Sequence, residues 1–373
     1  EYGENGEYGE NGEYGENGEV PLMTKRGLRI GVIGAGRFGR LHLRVLGQLP
    51  GVRAAALADV NPEALNLAAE TFGIAPGKRY LDPLRLIEDP ELDAVDIVSD
   101  ESTHGPLVLE ALRLGKHVIV EKPLCVSAEE SRRIVRAAEE SGKQVLVGNI
   151  SRFSQPYRMI KRSIEEGRLG TVQSIRSKRN FSRSWFRDFG NRIHPVYESG
   201  VHELDLIVWY AGGRCTEVVA FERHSEGWRY PDAFSAILRF DNGTIASLDS
   251  SWSVPGGGPR NLVETLELDG TIDAHIEVIG SAGTAYYQLA HPGFGIWTDN
   301  GIQHPDTTLW PTEEERVGGA IASELGHFAR AIREGRPSGV MPLADSAHAI
   351  EIADAIVRSA VGNQIIRLNG GQP

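Results

Sequence analysis

The run Leu28-Arg29-Ile30-Gly31-Val32-Ile33-Gly34-Ala35-Gly36-Arg37-Phe38-Gly39 decides the fold. Its first six residues read as a short apolar strand, and Arg37–Leu49 follows with helical spacing. The glycines between them have separate tasks. Gly34 allows a tight turn, Gly36 lets backbone approach a pyrophosphate, and Gly39 permits close helix–strand packing. The phosphates of a dinucleotide would then meet the free N–H groups and the positive end of the helix dipole. A second strand is expected at Arg53–Ala58, and Asp59 ends it twenty residues beyond Gly39. An acidic residue there accepts hydrogen bonds from ribose hydroxyls and repels a 2′-phosphate, which points to NAD rather than NADP.

The same alternation continues outward. Asn61-Pro62 reads as an N-cap with proline at the first helical position. Strands are expected at Ala94–Val98, His117–Val120 and Gln144–Val147, with a helix ending near Gly115 between the first two. Ser127-Ala128-Glu129-Glu130 starts another helix as a capping box, reaching Ser141. Apolar strands alternating with helices predict a parallel α/β sheet covered on both faces, a doubly wound Rossmann domain over residues 25–148.

Beyond about residue 150 the pattern changes. A helix over 156–166 precedes long alternating strands at Val172–Phe181, Glu217–Arg223, Ala233–Phe240 and Thr244–Val254. Asp241-Asn242-Gly243 is a hairpin turn, a helix is expected at Pro195–Tyr210, and helices at Glu313–Glu334 and Asp345–Val361 end the chain. Residues 149–373 therefore form an α+β substrate-binding and oligomerisation domain with a large, mostly antiparallel open sheet. Its last helix is free to pack back on the first domain. Two or three helices cannot cover both faces of such a sheet, so a homodimer or homotetramer is expected.

Composition limits the alternatives. The net charge is −12, but residues 1–19 hold seven glutamates in three copies of Glu-Tyr-Gly-Glu-Asn-Gly, which leaves −5 for the rest. Residues 1–24 read as an acidic tail or tag unable to fold alone. A mildly acidic remainder argues against nucleic-acid or anionic-membrane binding, and no apolar run is long enough to span a bilayer. Cys125 and Cys215 lie far apart and outside any CxxC, which fits a reducing, cytoplasmic setting. No metal is expected.

Chemistry-bearing residues collect at two places. Glu121-Lys122-Pro123 follows a strand of the first sheet, where ligands of open α/β sheets bind. A lysine there can hydrogen-bond a reacting oxygen. Glu198 and His202 are spaced i, i+4, so on an α-helix they share a face, with Asp205 one turn on. A histidine can take a hydroxyl proton at neutral pH and a carboxylate can orient it. Arg176, Lys178, Arg179, Arg183, Arg187 and Arg192 crowd a segment with Phe181, Trp185 and Phe186. Trp185 suits a sugar face, and arginines suit an anion, although basic residues on a strand's solvent face read the same way.

Gly34–Gly39, Ala58-Asp59, Glu121-Lys122-Pro123, Gly148-Asn149 with Arg152-Phe153, and Ser199 to Asp205 together resemble the Gfo/Idh/MocA family of oxidoreductases, over about residues 28–368. The resemblance implies Lys122 as the substrate-contacting lysine, often before a cis proline, and His202 as the acid/base. It implies Asp205 at a substrate hydroxyl and Asn149 and Arg152 in the substrate site. Cofactor contacts would come from Gly34, Gly36, Arg37, Phe38, Gly39, Asp59, Ser99, His104, Glu121 and Lys122. Two departures stand out. Inositol-dehydrogenase-like members carry aspartate where Glu198 stands, so Glu198 either keeps the relay to His202 or binds substrate instead, and Ser99-Asp100-Glu101-Ser102-Thr103-His104 replaces the usual Thr-Pro-Asn loop, though His104 matches. The expected activity is NAD-dependent oxidation of a secondary alcohol on a sugar or cyclitol. Alternatives are a glycoside-cleaving enzyme that oxidises its sugar transiently and a non-catalytic NAD(H)-responsive binding protein.

Overall fold

Val, Ile and Ala dominate the first set of strands, and a strand apolar on both faces is stable only between two layers of helix. In the computed structural model, which describes residues 26–261, 270–290, 295–298 and 301–368, that is the arrangement found. The acidic tail expected at residues 1–24 lies outside these residues. Strands β1 (Leu28–Ile33), β2 (Val52–Ala58), β3 (Arg79–Tyr80), β4 (Ala94–Ile97), β5 (His117–Glu121) and β6 (Val145–Gly148) form one parallel sheet in the order 3-2-1-4-5-6. Helices α1 (Arg37–Leu46), α2 (Pro62–Thr71), α3 (Pro83–Ile87), α4 (Glu101–Arg113) and α5 (Ala128–Ser141) connect it. This is the doubly wound Rossmann order, whose crevice opens where the chain reverses direction, outside β1 and β4. Helix α1 stops at Leu46, three residues before the expected end, because Gly47 caps it.

The second sheet is mixed. It contains β7 (Val172–Ser182), β8 (Cys215–Arg223), β9 (Ala233–Phe240), β10 (Ile245–Val254), β11 (Ile272–Gly280) and β12 (Thr284–Gln288). Two short hairpins follow, β13 (Ile296–Thr298) with β14 (Gly301–Gln303) and β15 (Thr312–Glu313) with β16 (Arg316–Val317), and β17 (Ile366–Arg367) returns to the large sheet. The order is 12-11-7-10-9-8-17, antiparallel throughout except where β7 lies parallel to β10. One face carries Phe234, Ala236, Leu238, Ala246, Leu248 and Trp252, all buried. Helices α6 (Gln155–Glu165), α7 (Val201–Ala211), α8 (Gly319–Glu334) and α9 (Leu343–Gly362) complete the chain. The expected helix over Glu313–Glu334 begins only at Gly319. Its first residues form the β15–β16 hairpin instead, with Glu314 and Glu315 at positive φ and Val317 buried, its N–H bonded to Gln48. Tertiary anchoring overrides the helical propensity of the glutamate run.

Both terminal helices reach across to the first sheet. Helix α8 packs on α1, where Arg333 donates to the carbonyls of Pro50 and Gly51. Helix α9 spans α7, β8 and α5. No helix among the described residues is long and apolar enough to cross a membrane.

Candidate active site

The glycine turn fits a pyrophosphate on structural grounds. Gly34 has φ +112°, and a Cβ there would come within 2.3 Å of the Val98 carbonyl oxygen. A Cβ on Gly39 would lie 2.0 Å from the Gly34 carbonyl oxygen. Both are glycine because backbone packs on backbone. Gly36 is different, since a Cβ there would meet nothing within 4 Å. It caps α1 without a side-chain partner, and it opens with Arg37 and Phe38 onto a cavity of about 1110 Å³. The first-turn amides of α1 are thus presented to that space, the arrangement an anionic ligand needs.

Asp59 lines the same cavity and clamps the turn. Its Oδ2 accepts from the Ala35 N–H at 2.6 Å and its Oδ1 from the Asn61 N–H at 2.8 Å. Farther along, His104 ties two loops together. Its Nδ1 lies 2.7 Å from the Pro123 carbonyl oxygen and its Nε2 3.1 Å from that of Ser99. The Lys122–Pro123 bond is cis. Glu121 accepts from the Lys122 N–H at 3.2 Å and lies 3.3 Å from His42 Nε2, while His42 Nδ1 lies 2.9 Å from Asp96. Burial opposes a charge on His42, but Asp96 and Glu121 outweigh it and hold its pKa well above the usual 6.5.

Along the same cavity the first sheet meets the second domain. Lys122 Nζ lies 3.0 Å from Glu198 Oε1 and 3.3 Å from its carbonyl oxygen. His202 lines the cavity beside them. Enclosure by protein, followed by the positive charges of Arg179 and Lys122, holds its pKa well below 6.5. The ring is therefore neutral at neutral pH and able to accept a proton.

No hydrogen bond joins Glu198 to His202 among the described residues, although both line the cavity. Residues Val196–Gly200 form a π-helical turn before α7, so the i, i+4 rule of an α-helix does not hold across them. Glu198 swings to Lys122, and His202 Nδ1 is buried without a hydrogen-bond partner among the described residues. Asn149, Arg152 and Asp205, expected at the substrate, are bonded to one another. All three are buried and lie outside the cavity lining. Arg152 Nε meets Asp205 Oδ2 at 2.7 Å, Asn149 donates to Asp205 Oδ1 at 3.0 Å, and Arg152 also reaches Asp345 at 2.8 Å. A buried carboxylate needs such partners, and the guanidinium supplies them.

The basic cluster does not form one patch. Arg176 and Lys178 face outward and pair with Glu277 and Asp273, Arg179 points inward to Glu203 at 2.8 Å, and Arg192 bonds Glu101 at 2.7 Å. Trp185 lines the cavity. The sequence reading missed Glu101, Arg179, Arg192 and Trp252 as wall residues. The arginines left a trace there as a charge run without direction, and Glu101 as part of the Ser99–His104 stretch.

Comparison with known proteins follows the same division. Residues 28–149 match the profile described as "Oxidoreductase family, NAD-binding Rossmann fold", and residues 157–286 match the "GFO/IDH/MocA C-terminal domain". The scyllo-inositol 2-dehydrogenase (NAD(+)) of Bacillus subtilis is 28% identical over 92% of this chain and 96% of its own. The inositol 2-dehydrogenase of Paracoccus denitrificans is 32% identical over 84% of this chain and 88% of its own. The fold also superposes on scyllo-inositol dehydrogenase from Lactobacillus casei, solved with NAD(H) and scyllo-inositol. The TM-score is 0.76 at 22% identity, covering 91% of this chain and 99% of that one.

Proposed function

Because the chain belongs to the Gfo/Idh/MocA family of oxidoreductases, with an NAD-binding Rossmann fold and chemistry at CH–OH groups, we propose that it oxidises a secondary alcohol of a sugar or cyclitol through Lys122 and His202. One observation carries the reading. Lys122 and His202 line the same cavity as the glycine turn. NAD supplies the hydride acceptor there. His202, neutral at neutral pH, accepts the hydroxyl proton. Lys122 donates to the same oxygen and favours its developing negative charge. Glu198 holds the lysine in position at 3.0 Å and keeps it from swinging into solvent. Asp59, already fixed by two backbone amides, disfavours a 2′-phosphate and supports NAD over NADP.

In this reading residues 25–148 bind the cofactor and 149–373 the substrate, and the protein works in the cytoplasm as a homo-oligomer. Cys125 and Cys215, both buried and unpaired, accord with a reducing compartment.

The test is NAD reduction across polyols, aldoses, uronic acids and glycosides, with product analysis. On the best substrate, His202→Ala and Lys122→Ala should each lower turnover by about 10²–10⁴-fold. NAD affinity by titration should stay within a few-fold of wild type, and NADP should bind more weakly than NAD. Near-normal turnover in His202→Ala removes that residue from the mechanism.

A further inference from the structure

The walls at the reacting end say more about the substrate than the catalytic groups do. Every cation there is engaged by a carboxylate of the chain: Lys122 by Glu198 at 3.0 Å, Arg179 by Glu203 at 2.8 Å, and Arg192 by Glu101 at 2.7 Å. Asp100 and Asp188 add two more carboxylates to the lining. Glu203 and Glu101 are themselves buried, at 1% and 7% exposure. An arriving carboxylate or phosphate would have to take a cation from one of them and leave a buried charge unpaired. Negative charge is already crowded here, since burial and then Glu198 raise the pKa of Glu101.

The same cavity is also lined by apolar side chains, Phe181, Trp185, Phe189, Trp252 and Ile272. Their rings pack edge to face or tilted, with Phe181 4.7 Å from Trp252 and Phe189 5.0 Å from Trp252, and the Arg192 guanidinium lies over Phe189 at 4.5 Å. These rings form one continuous apolar group. A free cyclitol, with a hydroxyl on every ring carbon, would bury hydroxyls against it without partners, which is costly. Asn149, Arg152 and Asp205, which could have met them, are consumed by one another below the surface.

We infer that the substrate is an uncharged glycoside whose secondary alcohol reacts at Lys122 and His202 while an apolar, ring-sized substituent rests on the Phe181–Trp185–Phe189–Trp252 wall. This rests on the dehydrogenase reading above and names its substrate class.

Binding to the NADH-loaded protein, followed by calorimetry, tests it independently of turnover. Phenyl β-glycosides of glucose, galactose, mannose and xylose are compared with the parent sugars, with glucuronic acid and with scyllo-inositol. At least one phenyl glycoside should bind about tenfold or more tightly than its parent, equal to about 1.4 kcal/mol. Glucuronic acid should bind no better than glucose. Phe189→Ala, at a half-buried site, should erase most of the phenyl preference, and Trp185→Leu serves where the first variant is uninformative. Equal binding of parents and phenyl glycosides, tighter binding of glucuronic acid or scyllo-inositol, or no binding at all overturns the inference. A phenyl preference without NAD reduction by any ligand would sink the dehydrogenase reading and leave the binding site standing. NAD reduction without the preference does the reverse.

Discussion

Lys122 is one of the side chains that join the two halves of the protein. The ammonium group leaves the first sheet and meets Glu198 on the helix of the second. His202 stands beside this pair with a pKa well below 6.5, so its proton-accepting form predominates at neutral pH. The sign follows directly. Oxidation needs the neutral ring, so kcat/KM should stay level through neutral pH and fall only as acid drives the pH down through that depressed pKa. A rate profile with its acid limb at or above 6.5 contradicts the assignment. The network beneath the site makes a different prediction. Asp205→Ala takes one of two carboxylates from the fully buried Arg152 and leaves it Asp345, so the loss should approach but not exceed the roughly 3–5 kcal/mol of an uncompensated buried charge. Denaturant unfolding should show that loss. An Asp205→Ala protein of normal stability but raised KM would return Asp205 to the substrate.

Among the elements, the turn from β1 into α1 separates folding from binding within six residues. Gly39→Ala drives a Cβ into the Gly34 carbonyl at 2.0 Å and should destabilise the protein by about 1–3 kcal/mol or more, the usual cost of overpacking. Gly36→Ala has room, at an ordinary φ of −66°, and should leave apo stability unchanged. Its methyl group projects where a pyrophosphate would lie, so NAD affinity should fall about tenfold or more. Thermal melts and NAD titrations on both variants check the split. Equal effects on both readouts would mean the glycines share one role. The π-helical turn at Val196–Gly200 is the other element of consequence, because it sends Glu198 to the lysine rather than the histidine.

For the whole molecule, the second sheet leaves one face open among the described residues. Phe221, Ile237, Ile245 and Tyr286 lie on strands of that sheet with 49–72% exposure, and their neighbours on the open face form cross-strand pairs such as Lys178–Asp273 and Ser235–Asp249. An apolar set of this kind inside a charged ladder suits a symmetry mate, since each copy offers the same self-complementary surface. Light scattering on protein lacking residues 1–19 should give a dimer or tetramer at micromolar concentration. Replacing Ile237 and Ile245 by Lys should shift it toward monomer. A wild-type monomer would mean that the face is simply solvated.

The sequence by itself determined the two-part architecture, the glycine turn, Asp59 at the end of β2 and the lysine after β5. Each depends on local chemistry: the apolar period of a strand, the steric freedom of glycine, or a motif within a few residues. It could not decide partners. Whether Glu198 served His202 or Lys122 turned on a π-helical turn, because 3.6-residue spacing fails where the backbone bonds i to i+5. Whether Asp205 and Arg152 met each other turned on burial, where α7, carrying Asp205, and α9, carrying Asp345, come together on Arg152 from distant parts of the chain. Neutralisation of the arginine run by Glu101, Glu203, Asp273 and Glu277 likewise needed contacts between residues 24 to 101 positions apart. Local composition specifies which charges exist. Only the tertiary structure decides which of them are already paired, and therefore what kind of molecule the remaining space accepts.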